Sequence, residues 1–179
     1  ITDQGAANYL KQIEESDLSD AFWAVTLPAS LETTSTVSPF FQTFLAAQVA
    51  NNFRGFLSRS ITVAAMTQQS GDIHHIVPKD YLQKHGYPDR GDYNQVANFA
   101  LTETSVNISI SNKPPAEYMA VVARQLETGI LTLGEITDPT DLARNLSENA
   151  IPAHLAEVTA GSYREFLSQR RKLMASVIR

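Results

Sequence analysis

The residues best suited to chemistry lie in the stretch 71–79, GDIHHIVPK, which places two of the chain's four histidines side by side at His74 and His75. An imidazole with an ordinary pKa of about 6.5 can accept a proton or bind a metal ion at neutral pH. Adjacent side chains of an extended strand point to opposite faces. The two histidines are therefore expected to differ in role.

Carboxylates and amides surround this pair in the sequence. Asp72 precedes His74 by two residues, which places both on the same face of a strand. Downstream, the same region contains four asparagines: Asn94, Asn98, Asn107 and Asn112. Oxygen ligands with an imidazole can hold a hard divalent ion that keeps several waters. Two histidines are too few for a common structural zinc site, and the chain has no cysteine.

The elements that must position these residues are short. The run 72–77 is typical of a strand that a proline ends, and the turn-rich segment after it contains Gly86, Pro88 and Gly91. A second apolar run, 96–101, predicts a return strand. The expected unit is therefore a strand, a long loop, a strand and a helix.

Helices are predicted on both sides of this unit. The segment 38–59, SPFFQTFLAAQVANNFRGFLSR, begins with Ser38 as N-cap and Pro39 in the first turn, and its apolar positions keep helical spacing as far as Phe56. A later helix should have Pro114 and Pro115 in its first turn and end at Gly129.

Two more helices are expected near the end of the chain, one starting at Asp138-Pro139 and one where Ser162 and Glu165 match a capping box. The polar side of the last helix is predicted to carry four basic residues: Arg164, Arg170, Arg171 and Lys172. These are interpreted as a solvated face, and the alternative is a contact with a DNA backbone.

Composition limits the classes of protein to consider. A chain of 179 residues with 43% hydrophobic and 18% charged residues suits one domain with a real core, or one domain with a helical extension. Its net charge of −5 argues against a wholly basic nucleic-acid binder. No apolar run is long enough to cross a bilayer, and the opening segment lacks the features of a signal peptide. A cytoplasmic piece of a longer protein is the expectation.

Three motifs together carry a family resemblance. The segments DIHHIVP, NFALT at 98–102 and VNISISNKPP at 106–115 resemble the HNH nucleases, also called His-Me finger or ββα-metal nucleases. More narrowly, GDIHHIVPKDYL, YNQVANFAL and NISISNKPPAEYM are similar to the C-terminal HNH domain of GmrSD-type modification-dependent restriction endonucleases. The matching region covers residues 71–119. The resemblance implies an α+β fold, a mostly helical domain that contains a small ββα-metal finger.

The same resemblance implies a role for each matching residue. His74 and Asn107 would bind a single Mg²⁺ or Mn²⁺ ion, and His75 would be the general base that takes a proton from the attacking water. Asn98 would tie the loop and keep the base oriented. Asp72 could bind the ion directly or accept a hydrogen bond from His74, and the sequence leaves both options open.

Charge on the phosphate needs a cation as well. Lys113 is the first candidate to stabilise the added negative charge during hydrolysis, with Lys79 and Arg90 as weaker candidates that are more easily explained as solvated loop residues.

The resemblance also implies an organisation and partners. Residues 1–60 would form a helical N-terminal part packed on the nuclease core, 61–128 the finger, and 129–179 C-terminal helices of the same domain. The protein would be the effector domain of a bacterial restriction or anti-phage protein. Its expected partners are DNA, including modified phage DNA, and an N-terminal nucleotide-using sensor domain outside this sequence. No membrane partner is expected, and the oligomeric state is open.

Two alternatives remain at this stage. The chain could be a noncatalytic helical interaction module of a defence protein, in which the histidine pair is structural, or an RNase with the same finger fold. Geometry separates the first from a nuclease, because His74, His75 and Asn107 should converge on one ion or water site. Many HNH domains brace the finger with a four-cysteine zinc site. This chain has no cysteine, so the surrounding helices would have to brace the finger instead.

Overall fold

The computed structural model describes residues 3–69 and 71–179; Ile1, Thr2 and Ser70, which fall in the predicted segments 1–60 and 61–128, lie outside the described residues. Helices come first along the chain. The first is α1 (Asp3–Ser16), and a π-helical turn (Phe22–Thr26) then continues directly into the short α2. The helices that follow α1 and precede the first strand are α2 (Leu27–Ser30), α3 (Pro39–Ala50) and α4 (Val63–Gln68).

Two short strands form an antiparallel sheet in the middle of the chain. Strand β1 (Asp72–His75) pairs with β2 (Phe99–Thr102), with His74 opposite Ala100 and His75 opposite Phe99. The long connection between the strands contains two short helices and a 3₁₀ turn: α5 (Lys79–Lys84), α6 (Arg90–Tyr93) and Val96–Asn98. Helix α7 (Thr104–Ile110) follows β2 after one residue. The predicted order of strand, loop, strand and helix is confirmed.

The rest of the chain is helical. Helix α8 (Pro115–Thr128) begins at the second proline and ends at Gly129, whose φ of 70° lies in the left-handed region that glycine adopts without a steric penalty. The final elements are α9 (Pro139–Glu148), a 3₁₀ turn (Leu155–Glu157) and α10 (Tyr163–Ile178). These starts and ends confirm the three predicted helices, and the mostly helical fold with one small sheet is of the α+β class.

Local caps explain part of this agreement. Asp138 accepts a hydrogen bond from the backbone nitrogen of Asp141 at 2.9 Å, as an N-cap residue should. At the start of α10 the capping-box interpretation was wrong, because Ser162 does not bond to the first turn of the helix. Its hydroxyl instead accepts from the backbone nitrogen of Thr159 at 3.0 Å.

One main hydrophobic cluster runs through the fold, from Leu27 in α2 to Ala175 in α10, and includes Phe99 and Ala100 of β2. A small second cluster of Val63, Met66 and Leu101 packs α4 against β2. Helix α1 contributes no buried side chain over its residues 5–16. Within residues 3–69 and 71–179, no helix combines the length and apolar character needed to span a membrane.

One residue of α10 does not lie on the solvated face that was predicted for this helix. Arg170 is completely buried, and its guanidinium donates to the backbone oxygens of Asn149 at 3.1 Å and Val96 at 3.4 Å. Burial lowers its pKa to about 9, although the nearby hydroxyls of Tyr118 and Tyr163 oppose that shift. The assignment of Arg170 to a solvated face was therefore wrong.

The third helix is shorter than its apolar spacing predicts. Helix α3 ends at Ala50, and Asn52 takes a positive φ of 53° just after it. Phe56 then lies in a turn beside the sheet, where its backbone nitrogen donates to the carbonyl of Leu101 at 2.7 Å and its carbonyl accepts from the hydroxyl of Thr102 at 2.7 Å. Tertiary pairing with β2 provides hydrogen bonds that a longer helix would otherwise supply.

Candidate active site

Three polar residues meet on one face of β1. Asp72 and His74 share this face because they are two residues apart on a strand. Asn107 lies on α7, which follows β2 directly, and its side chain reaches both residues. The Nδ1 atom of His74 lies 2.8 Å from Oδ1 of Asn107, and Nδ2 of Asn107 donates to Oδ2 of Asp72 at 3.0 Å. One amide therefore joins an imidazole and a carboxylate.

His74 is held inside the protein. Only 3% of the residue is exposed, and its ring stacks on the ring of Phe56 with 6.0 Å between centroids. Burial lowers the pKa of His74 to about 4, and the contact with Asn107 and the charge of Asp72 oppose this shift only in part. The imidazole is therefore neutral at pH 7, which is the form that binds metal ions. Its Nε2 atom is buried without a hydrogen-bond partner.

His75 points to the other side of the strand and has a separate partner. Its Nε2 atom lies 2.9 Å from Oδ1 of Asn94, and its ring meets the ring of Phe99 edge to face at 5.0 Å. Burial lowers the pKa of His75, with a further contribution from the positive charge of Lys79, while the bond to Asn94 opposes both. With Oδ1 as acceptor, the proton lies on Nε2 and the lone pair on Nδ1.

The sequence did not identify Asn94 as the partner of His75. It lies just after α6, in the connection between the strands, and the sequence offered it only as one of several amides that could ligate an ion. Its contact with His75 joins residues 19 positions apart. No local spacing rule predicts that pairing, because the loop between them is irregular.

Asn98 ties the backbone together beneath His75. Its side chain is fully buried; Oδ1 accepts from the nitrogen of Val77 at 2.9 Å, and Nδ2 donates to the carbonyls of Val77 at 3.0 Å and Tyr93 at 3.1 Å. One side chain thus fastens the segment that follows His75 to the residue that precedes Asn94. Asn98 therefore acts on the position of both through hydrogen bonds to their chain neighbours Val77 and Tyr93.

The predicted cations are placed differently from one another. Lys113 is exposed, and its ammonium donates to the carbonyl of Ser109 at 2.7 Å, near the end of α7. Its role in charge stabilisation stays a prediction. Lys79 lies nearer to the histidine pair, since its Nζ atom is 5.4 Å from the centre of the Tyr93 ring and its charge acts on His75.

Three polar side chains of α9, Asp141, Asn145 and Glu148, form what we call the polar clip. They hold the segment that contains Phe56, on which His74 stacks. Asn145 accepts from the nitrogen of Leu57 at 2.9 Å and donates to the carbonyls of Gly55 at 2.9 Å and Ser58 at 3.1 Å. Arg54 pairs with Asp141 and Glu148 of α9, each at 2.8 Å. These bonds span about ninety positions of sequence, and nothing in the sequence pattern predicted them.

Comparison with known proteins adds no assignment. No family model matches the chain, and no significant match is found among curated proteins or solved structures. Within the described residues, no group of three or more His, Cys, Asp or Glu side chains is placed to hold a metal ion. Beside Asp72 and His74, the amide of Asn107 is the side chain in contact with both that could add an oxygen ligand.

Proposed function

We propose that the protein is a metal-dependent endonuclease that hydrolyses phosphodiester bonds in DNA. The observation that carries the proposal is the arrangement of the two histidines on opposite faces of β1. His74 shares one face with Asp72 and Asn107, while His75 faces Asn94 in a neutral form suited to accept a proton. A nuclease of this kind needs a metal on one side of the phosphate and a base on the other.

The donor set fits a hard divalent ion such as Mg²⁺ or Mn²⁺. One imidazole nitrogen, one amide oxygen and one carboxylate lie together through contacts of 2.8 and 3.0 Å. Proteins usually bind Mg²⁺ through few side chains, and water fills the remaining coordination positions. Because Nδ1 of His74 faces the amide oxygen of Asn107, the proton of the neutral ring lies on Nδ1, and the lone pair on the unpartnered Nε2 atom would bind the metal. When bound, the ion supplies Lewis-acid stabilisation of the phosphate and of the leaving oxygen.

The base step uses His75. Its Nδ1 lone pair takes a proton from water, the resulting hydroxide attacks phosphorus, and the bond from phosphorus to the leaving sugar oxygen breaks. Solvent returns a proton to that oxygen. Asn94 holds the Nε2 proton of His75 and so fixes which nitrogen is the base. Asn98 keeps the two backbone segments around this pair in place.

The finer parts of the proposal rest on the resemblance over residues 71–119. A ββα-metal finger is supported by the order of β1, β2 and α7 and by the position of Asn107 on that helix. As in the GmrSD-type proteins that it resembles, the domain would act in the cytoplasm as the effector of a bacterial restriction or anti-phage protein. A nucleotide-using sensor domain would select modified DNA.

A plasmid assay tests the proposal directly. Supercoiled DNA is incubated with the wild type, His74→Ala and His75→Ala in Mg²⁺ or Mn²⁺, with a chelator control. We expect the wild type to nick or linearise the plasmid, and both variants to lose most activity, by about 10² to 10⁴ for the base. Equal cleavage by the wild type and His75→Ala removes His75 as the base. An RNA substrate run in parallel identifies an RNase, and absence of both cleavage and Mn²⁺ binding favours the noncatalytic module.

A further inference from the structure

Two cations, Lys79 and Arg90, lie in the connection between β1 and β2, near residues that contact the proposed base. Lys79 begins α5 immediately after Pro78, and its Nζ atom stands over the ring of Tyr93 at 5.4 Å from the centroid. The same tyrosine ring lies 6.3 Å from the ring of His75, centroid to centroid. A single aromatic side chain therefore separates the ammonium from the imidazole.

Arg90 lies on the other helix of the connection, close to the asparagine that bonds to His75. It begins α6 and lines a surface cleft of about 280 Å³ together with Thr34, Gly91 and Asn94. Asn94 in turn holds His75 at 2.9 Å. The cleft therefore ends at the residue that orients the proposed base.

Neither cation is neutralised by the protein. Both side chains are exposed, and within residues 3–69 and 71–179 neither one forms an ion pair with a carboxylate. Other basic residues of the chain do pair with acids: Lys11, Arg54, Arg144, Arg171 and Arg179.

The acids nearest in sequence do not change this. Asp80, next to Lys79, accepts from Asn112 at 2.9 Å, and Asp89 and Asp92 flank Arg90 without pairing with it. The charges of Lys79 and Arg90 are therefore free to interact with an external anion.

We propose that Lys79 and Arg90 each bind a backbone phosphate of the nucleic-acid strand, next to the phosphate being hydrolysed. This inference rests on the proposed function, because it assigns the path of the strand past His75. A guanidinium can hold two phosphate oxygens at once, whereas an ammonium acts as a point charge. Contact with the Tyr93 ring limits the freedom of the Lys79 ammonium before the strand arrives.

The salt dependence of DNA binding tests this assignment. A short DNA duplex is titrated in chelator, which prevents cleavage, with the wild type, Lys79→Gln, Arg90→Gln and the double variant. Each lost phosphate contact should weaken binding and reduce the slope of log K against log salt by about 0.9, so the double variant should lose about 1.8. Lys84→Gln, an exposed lysine at the end of the same α5, is the control and should keep the wild-type slope.

The outcomes separate the subsite from the nuclease proposal. Unchanged slopes in both single variants overturn the subsite even if the protein cleaves DNA, and so does an equal loss in Lys84→Gln or a wild type that does not bind DNA. Reduced slopes in a protein that never cleaves support the subsite and contradict the nuclease. In cleavage assays the variants should raise KM more than they lower kcat. A duplex RNA run alongside shows whether the bound strand is DNA or RNA, and matching melting temperatures show that the exposed substitutions leave the fold intact.

Discussion

The Nε2 atom of His75 lies 2.9 Å from the side-chain oxygen of Asn94, so a loop residue decides which nitrogen of the proposed base carries the proton. The neighbouring His74 has a different partner, Asn107 on α7, at 2.8 Å. Adjacent histidines thus belong to two separate hydrogen-bond systems. The two hydrogen-bond systems therefore lead to separate predictions, whose outcomes can be measured independently.

Loss of Asn94 should slow cleavage without weakening metal binding. In Asn94→Ala, the His75 ring loses the acceptor that fixes its tautomer, and we expect kcat to fall by about tenfold to a hundredfold, the range seen when a supporting partner is removed. Single-turnover cleavage measures this. Asn112→Ala removes an exposed asparagine that bonds only to Asp80 and should keep the wild-type rate. Equal rates for the two variants would show that Asn94 does not position the base.

Metal affinity should distinguish the two faces of β1. Asn107→Ala removes the amide that joins His74 to Asp72, so we expect Mn²⁺ affinity, measured by calorimetry, to fall by at least about tenfold. His75→Ala leaves those three residues intact and should bind Mn²⁺ like the wild type while losing cleavage. A loss of affinity in His75→Ala instead of Asn107→Ala would place the ion on the opposite face.

Burial of His74 should make the metal-free protein sensitive to acid. The folded pKa of about 4 lies below the unfolded value of about 6.5, so between these values the unfolded chain binds more protons. The free energy of unfolding is therefore fully retained above about pH 6.5, falls as the pH decreases, and is lower by roughly 3 kcal/mol near pH 4.

Urea unfolding in chelator at several pH values measures this loss. His74→Gln should flatten the profile between pH 6.5 and 4. A profile that is equally steep in wild type and His74→Gln would assign the acid sensitivity to other groups, among them His75, whose pKa is also lowered.

The polar clip on α9 should matter for stability. Asn145→Ala leaves the nitrogen of Leu57 and the carbonyls of Gly55 and Ser58 without their partner, and a buried unsatisfied group costs about 1–3 kcal/mol. We expect a loss of about 2–4 kcal/mol in the free energy of unfolding, measured by urea denaturation.

A matched control lies on the same helix. Ser147→Ala changes an exposed side chain and should alter stability by no more than about 0.5 kcal/mol. Because the segment held by Asn145 includes Phe56, on which His74 stacks, Asn145→Ala should also reduce Mn²⁺ affinity. A destabilised variant with wild-type Mn²⁺ affinity would show that the clip does not influence the site.

Local rules account for the features that the sequence predicted correctly. Pro115 and Gly129 bound α8 because proline suits a first turn and glycine accepts a positive φ, and Asp138 caps α9 through a bond to a residue three positions away. The opposite directions of His74 and His75 follow from the period of two in any strand. Each of these features depends on residues that are near one another in the chain.

By itself, then, the sequence determined the strand–loop–strand–helix order and the histidine pair that stands on it. Only the tertiary structure decided the partners of those histidines and the burial of Arg170. It also decided that α3 ends before Phe56, whose backbone instead bonds to β2. The contacts of His75 and His74 join residues 19 and 33 positions apart. Such contacts arise when elements pack into a core, and short-range pattern carries no information about how they will pack.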